Sequence, residues 1–345
     1  KMDSVNQKII DAVIAKAEKV CPDSLALIGI YGSVATGDAY EKSDLDLLIL
    51  IENDEGWQLG TGFILDDSNI GYDIYCTNWD GLKYDAECHH AQISKLMDSK
   101  IVYVKKQEAL DELHRLREQA KAFLKSEDRF ERVNELIEKA KVQYANAYLH
   151  DELGQVRLDS FGVIYYLLDA MMFYHGTYFK RGVKRIFEEL EKLPIEEAFS
   201  DMIKSVAGSK DVTELRELSK GVLLYVENYT RREEEKREPS QELTGTYEEM
   251  YSNWRNKVAE AAEQDNAVAS FMNLCNLHYM IAEIGDEVEI GNFNIMEVYN
   301  PDCLQDNVEL FDMCLQKYED VYKSAGIEVK RFSNVDVFVA DYLCE

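Results

Sequence analysis

The chain has 345 residues, 46% of them apolar, which is enough for two or three domains with cores of their own. Its 66 Asp and Glu against 38 Lys and Arg leave a formal charge of −28. That charge repels phosphodiester backbones, so no nucleic-acid partner is expected without a local basic patch, while small cations are drawn in. Seven cysteines without a CxxC pair, no apolar run approaching a membrane span, and charges interspersed through the first twenty residues point to a reducing cytoplasm rather than a membrane or a disulfide framework.

In chain order, Val5, Ile9, Ile10, Val13, Ile14, Ala17 and Val20 recur at helical spacing and predict a helix over 4–20, ended by Pro22. The apolar run Leu25–Tyr31 predicts a buried strand, broken by Gly32 and Ser33. Residues 34–42 leave room for a turn or two of helix and a loop before a second strand at 45–51. Alternation around Asp73 predicts a third strand over 70–76, then a helix over 79–97 and a fourth strand over 100–104. From residue 108 onward amphipathic stripes predict helices at 108–125, 129–153, 158–175, 184–192, 195–205 and 212–229. The charged run 231–238 before Pro239 reads as a linker or a solvated helix end. Helices follow at 246–263, 266–284 and 302–324, with a final strand at 329–339. The expected fold is α+β: a mixed-sheet domain over 1–106, a helical bundle over 107–240 that supplies a substrate pocket, and a helical extension over 241–345.

The chemistry is concentrated in residues 32–46, Gly-Ser-Val-Ala-Thr-Gly-Asp-Ala-Tyr-Glu-Lys-Ser-Asp-Leu-Asp. Asp44 and Asp46, two apart on a strand, point to one face. At roughly 6 Å and an effective dielectric of about 20 they repel by roughly 3 kcal/mol. Folding alone does not select that arrangement, whereas a divalent cation turns the repulsion into affinity. Gly32 lets the backbone approach a phosphate closely, and Ser33 adds N–H and hydroxyl donors. The unit lacks a GxGxxG turn after its first strand, which excludes a Rossmann dinucleotide site.

A Gly-Ser turn followed by Ser43-Asp44-Leu45-Asp46 and a later strand carboxylate resembles the nucleotidyltransferase superfamily, with the DNA polymerase β-like fold. The branch it is most similar to holds the kanamycin-type aminoglycoside nucleotidyltransferases and the minimal nucleotidyltransferases. The resemblance is tight over 24–76 and looser to about 106. It departs at Thr36, where that branch often carries Arg. The resemblance implies that Gly32 and Ser33 hold the β- and γ-phosphates of a nucleoside triphosphate, expected to be ATP. It implies that Asp44, Asp46 and Asp73 coordinate two Mg²⁺ ions, with Ser43 donating to a phosphate or orienting Asp44. Asp66 and Asp67 are the alternative third ligands. Asp73 is preferred because it lies between apolar strand residues, where an unpaired carboxylate is costly to bury.

For the general base the candidates are Asp73 itself and Glu152, before the aromatic run 161–178. The basic group Lys180, Arg181, Lys184 and Arg185 is a candidate to close over the triphosphate. Tyr165, Tyr166, Phe173 and Tyr174 sit at helical spacing and read as core. Cys88-His89-His90 and Cys275 with His278 lack the geometry of a metal site. The expected reaction is transfer of a nucleoside monophosphate to the hydroxyl of a small, plausibly cationic, aminoglycoside-like acceptor, with release of pyrophosphate. The alternatives are a protein-adenylylating antitoxin, a template-free polymerase on RNA ends, and a non-enzymatic nucleotide sensor. The sequence is silent on oligomeric state.

Overall fold

The computed structural model describes residues 4–41, 43–233 and 235–344. The chain forms two compact units, residues 1–231 and 232–345.

In the first unit, helix α1 (Ser4–Val20) buries Ile10, Val13 and Ala17, the inner part of its apolar stripe. Strands β1 (Leu25–Tyr31) and β2 (Asp46–Ile51) are antiparallel neighbours in a four-stranded sheet ordered β5-β2-β1-β6, with β6 (Lys100–Val104) antiparallel to β1 and β5 (Cys76–Asn78) parallel to β2. Past Asp46, both central strands are apolar because both faces of the sheet are covered. Leu47, Ile49 and Ile51 pack with α1, while Leu48 and Leu50 face the helices that follow. Those helices are α3 (Trp79–Ala86), α4 (Ser94–Asp98), α5 (Gln107–Lys125), α6 (Asp128–Leu149), α7 (Leu153–Tyr174), α8 (Ile186–Leu190), α9 (Glu197–Gly208) and α10 (Val212–Thr230). One continuous apolar core runs from the sheet to α10, so the mixed sheet and the helices after it form a single α+β body.

Two expectations for this unit are corrected. The strand expected over 70–76 is two: β4 (Ile70–Ile74) pairs with an unforeseen strand, β3 (Thr61–Leu65), as a separate hairpin, and β5 then joins the main sheet. The helix expected over 79–97 is interrupted, with Cys88 at φ 54. The reason is tertiary: Arg132 donates to the Cys88 carbonyl at 2.8 Å, and the Phe179 N–H donates to the Ala91 carbonyl at 2.9 Å. Both carbonyls are thereby withdrawn from a helix ladder.

The second unit contains α11 (Pro239–Leu243), α12 (Thr246–Met250), a π-helical turn at Tyr251–Arg255, α13 (Asn256–Glu263), α14 (Ala267–Glu287), α15 (Leu304–Ser324) and α16 (Val335–Cys344). Its core centres on Tyr318 and Tyr322, and the buried Tyr322 hydroxyl donates to the Leu243 carbonyl at 2.7 Å. The expected strand at 329–339 is instead coil running into α16. Alternating Val335, Val337 and Val339 imitate a strand, but among the described residues this unit offers no sheet edge to pair with. A helix satisfies its own backbone, and Asn334 caps this one by accepting from the Val337 N–H at 3.1 Å.

Helix α7 ends at Tyr174, and two residues later Gly176, at a φ of +67, turns the chain toward residues 178–185. A Cβ there would lie 2.7 Å from the Leu124 carbonyl oxygen. Gly176→Ala is expected to lower stability by roughly 2–3 kcal/mol, the left-handed penalty plus a clash with rigid backbone, read as a lower urea midpoint at unchanged slope.

Candidate active site

The β1–β2 register sets Tyr31 opposite Asp46. Immediately after Tyr31, Gly32 adopts φ +68 and opens a short helix, α2 (Gly32–Thr36), which closes on Gly37 at φ +79. A Cβ on Gly32 would fall 1.9 Å from Asp46 Oδ2, so the bare backbone leaves the room that this carboxylate occupies. Leu45 is fully buried, and the half-buried Asp44 and Asp46 flank it. Asp44 precedes β2 instead of lying on it, but the alternation holds. The loop between turn and strand is tied by Ser43, whose Oγ accepts from the Tyr40 N–H at 2.8 Å.

Charge is crowded here. Burial first, then the neighbouring Asp44 and Asp73, pushes the Asp46 carboxyl up to about 6. Burial, followed by Asp46, Asp73, Asp85 and Asp44, pushes the Tyr31 hydroxyl up to about 12. Asp73 therefore shares the field of the Asp44–Asp46 pair. The burial argument that singled it out is corrected, since Tyr72 and Ile74 enter the core and Asp73 faces outward, exposed. Asp66 and Asp67 sit on the exposed turn at the tip of the β3–β4 hairpin.

Two cavities adjoin the pair. One, of about 400 Å³, is lined by Gly32, Ser33, Thr36, Asp38, Ser43 and Asp46 on one side and by Lys180, Arg181, Lys184 and Arg185 on the other. Its cations come from residues 180–185, and Thr36 contributes a hydroxyl that lies 3.2 Å from the Gly32 carbonyl. The second, of about 570 Å³, is lined by Asp44, Asp73, Gly62, Gly71, Phe63, Ile64 and Tyr72. Phe63 stacks on Tyr72 at 5.1 Å beneath it. Asp46 thus borders a basic cavity and Asp44 an apolar one.

Glu152 is exposed at the start of α7 and lines neither cavity. Two acids on that helix are buried: Asp159, whose Oδ2 lies 2.7 Å from His150 Nδ1, and Asp169, fully enclosed, which accepts from Gln92 Nε2 at 2.8 Å and is pushed up to about 6 by burial. Of the aromatic run, Phe173 is buried core, while Tyr165 is 37% exposed and donates to Gln92 Oε1 at 3.3 Å. Sequence reasoning missed Tyr31, Asp38 and Asp169. A tyrosine in an apolar run and single acids in a chain with 66 of them give no periodic or spacing signal.

Among the described residues no three His, Cys, Asp or Glu side chains form a ready-made metal cage. The donor set still fits magnesium. That ion takes one or two carboxylates and completes its shell with waters and substrate phosphates. Asp44 and Asp46 offer oxygen ligands only, beside a glycine whose absent side chain leaves them space. Among the same residues no helix is long and apolar enough to cross a membrane, and the seven cysteines are free.

Residues 13–142 match the family described as "Nucleotidyltransferase domain". A solved structure of a nucleotidyltransferase-like protein from Exiguobacterium sibiricum 255-15 is similar to 82% of this chain and 92% of its own, at 11% identity and a TM-score of 0.35. No curated protein matches the chain.

The raised Asp46 carboxyl has a consequence for stability. The folded state binds this proton more tightly than the unfolded chain, so ionising Asp46 opposes folding increasingly as pH rises from about 4 through about 6. Without divalent cation, Asp46→Asn is expected to raise the melting midpoint by a few degrees at pH 7.5, and the gain is expected to shrink toward pH 4. Added Mg²⁺ is expected to raise the wild-type midpoint and leave the variant's unchanged, both read by calorimetry.

Proposed function

We propose that the chain, a transferase of the nucleotidyltransferase class by the match of its residues 13–142, moves a nucleoside monophosphate from a nucleoside triphosphate, ATP by preference, to a small-molecule hydroxyl. The observation that carries the reading is the pairing of a basic and an apolar cavity on one pair of carboxylates. In-line displacement needs the leaving and attacking oxygens on opposite sides of phosphorus. The basic cavity takes the β- and γ-phosphates on Gly32, Ser33, Ser43 and the 180–185 cations. The apolar cavity takes the acceptor against the bare face at Gly62 and Gly71.

Asp44 and Asp46, with Asp73 at the rim, hold two magnesium ions in this proposal. When bound, the metal neutralises charge on the phosphates and on the attacking and leaving oxygens. Asp73 accepts the acceptor's hydroxyl proton as the new acceptor O–P bond forms, and the bond from the α-phosphorus to the β-phosphate oxygen breaks to release pyrophosphate. The Tyr31 hydroxyl stays protonated among the acids and serves as a donor. An acceptor carrying amino groups suits the surrounding carboxylates, so an aminoglycoside-like antibiotic and a cytoplasmic resistance role are the specific form of the proposal. The overall charge of −28 runs against a nucleic-acid acceptor.

With labelled ATP and Mg²⁺, screened against antibiotic and metabolite pools, pyrophosphate release and label on a small molecule are expected. Asp44→Asn and Asp46→Asn are expected to abolish transfer with circular dichroism unchanged, and Arg181→Gln to raise KM for ATP about tenfold, as the loss of a charge-assisted bond implies. Full Mg²⁺-dependent turnover in Asp46→Asn would refute the site, and label on a protein band would move the acceptor from a small molecule to a polypeptide.

A further inference from the structure

Asp38 stands inside the basic cavity, on the wall opposite the arginines. Its N–H donates to the Ser33 carbonyl at 3.0 Å, which pins it to the glycine turn. Its Oδ1 lies 3.6 Å from Arg181 Nη1, and Arg185 Nη2 lies 3.9 Å away. Both distances are too long for hydrogen bonds, so the contact is Coulombic and does little to orient a guanidinium.

Orientation comes from elsewhere. Glu189 Oε1 accepts from Arg181 Nε at 2.8 Å, and Glu188 accepts from Arg181 at 3.1 Å and from Arg185 at 2.6 Å. Those glutamates follow the arginines closely in the chain and hold them from outside the cavity lining. Lys180 and Lys184 lie over the rings of Tyr178 and Tyr40, at 6.0 and 5.3 Å. Asp38 is therefore a negative charge held in the cavity within 4 Å of both arginines, contributing charge without geometry.

We propose that Asp38 is a built-in competitor for the polyphosphate seat: it weakens the hold of Arg181 and Arg185 on the β- and γ-phosphates, and thereby promotes departure of pyrophosphate after transfer. The inference rests on the assignment of this cavity to the triphosphate. It goes beyond that assignment by giving the turn a residue that opposes binding. A site that grips a tetra-anionic tail with two arginines and two lysines risks retaining the product, which carries the same phosphates. A fixed carboxylate at the seat lowers that retention while leaving the α-phosphate end, at Asp44 and Asp46, untouched.

The test titrates inorganic pyrophosphate with Mg²⁺, and separately AMP, into the full chain at fixed ionic strength. Asp38→Asn is expected to bind pyrophosphate about tenfold more tightly than wild type, about 1.4 kcal/mol, with AMP affinity unchanged within about twofold. Asp38→Glu, which keeps the charge, is expected to stay near wild type. The gain in Asp38→Asn is expected to shrink as salt is added. Equal or weaker pyrophosphate binding by Asp38→Asn, in a protein whose melting midpoint is unchanged, would overturn the proposal and make Asp38 a positioning residue for the arginines. Should Arg181→Gln leave wild-type-like pyrophosphate binding intact, the cavity is not the polyphosphate seat, and the underlying assignment falls as well.

Discussion

The site depends on one backbone constraint, the antiparallel register that sets Tyr31 opposite Asp46. Because β1 leads directly into Gly32 and β2 begins at Asp46, that single pairing brings the glycine turn against the acid pair. The register is strongly held. Alternate residues of both strands enter different cores, Ile28, Ile30, Leu47 and Ile49 on one face and Leu27, Leu48 and Leu50 on the other. A slip of one residue would exchange the two faces of β2 and turn Asp46 away from the turn. Apolar burial across the sheet thus positions a polar site at its end.

That site is electrostatically unbalanced by construction. Burial, with Asp44 and Asp73 close by, raises the Asp46 carboxyl, and burial, with Asp46 the first of four neighbouring acids, raises the Tyr31 hydroxyl. The compensating cations are not in the segment that matches the family, which ends at residue 142, but in residues 180–185. The two halves of the basic cavity are held together through the interrupted helix. The Phe179 N–H reaches the Ala91 carbonyl at 2.9 Å, and the Tyr178 hydroxyl reaches Asp98 at 2.8 Å. Ser94, between those anchors, lines the same cavity. The continuous core from sheet to α10 is therefore what sets the basic residues facing the Gly-Ser turn, and a fragment ending at 142 would lack the basic side of that cavity.

Much of this was legible in the sequence, for identifiable reasons. Strands such as Leu25–Tyr31 are short, wholly apolar and bounded by a proline and a glycine, so burial and breakers agree. The helices from residue 107 to 230 carry stripes that tertiary packing had no reason to override. Where local pattern and partner availability disagree, the pattern misled. Val335, Val337 and Val339 alternate as a strand does, yet among the described residues of their unit there is no strand to pair with. Thr61–Leu65, with a glycine at its second position, looks weak alone and is made a strand by Ile70–Ile74. Acid residues were the hardest to sort. The spacing of Asp44 and Asp46 distinguishes them, whereas Asp38 and Asp169 acquire meaning only from what the fold sets beside them.

Asp73 shows how a sequence argument can select a residue for the wrong physical reason. Flanking apolar residues suggested burial, but on a strand the flanks point to the opposite face, and the exposed side is what borders the second cavity. Asp73 thereby stands exposed at the rim of that cavity, with its apolar flanks buried behind it. Asp46, half-buried beside Gly32, bears the desolvation instead. One acid is half-buried beside the glycine turn and the other stands exposed at the cavity rim, and strand alternation is what faces Asp73 outward.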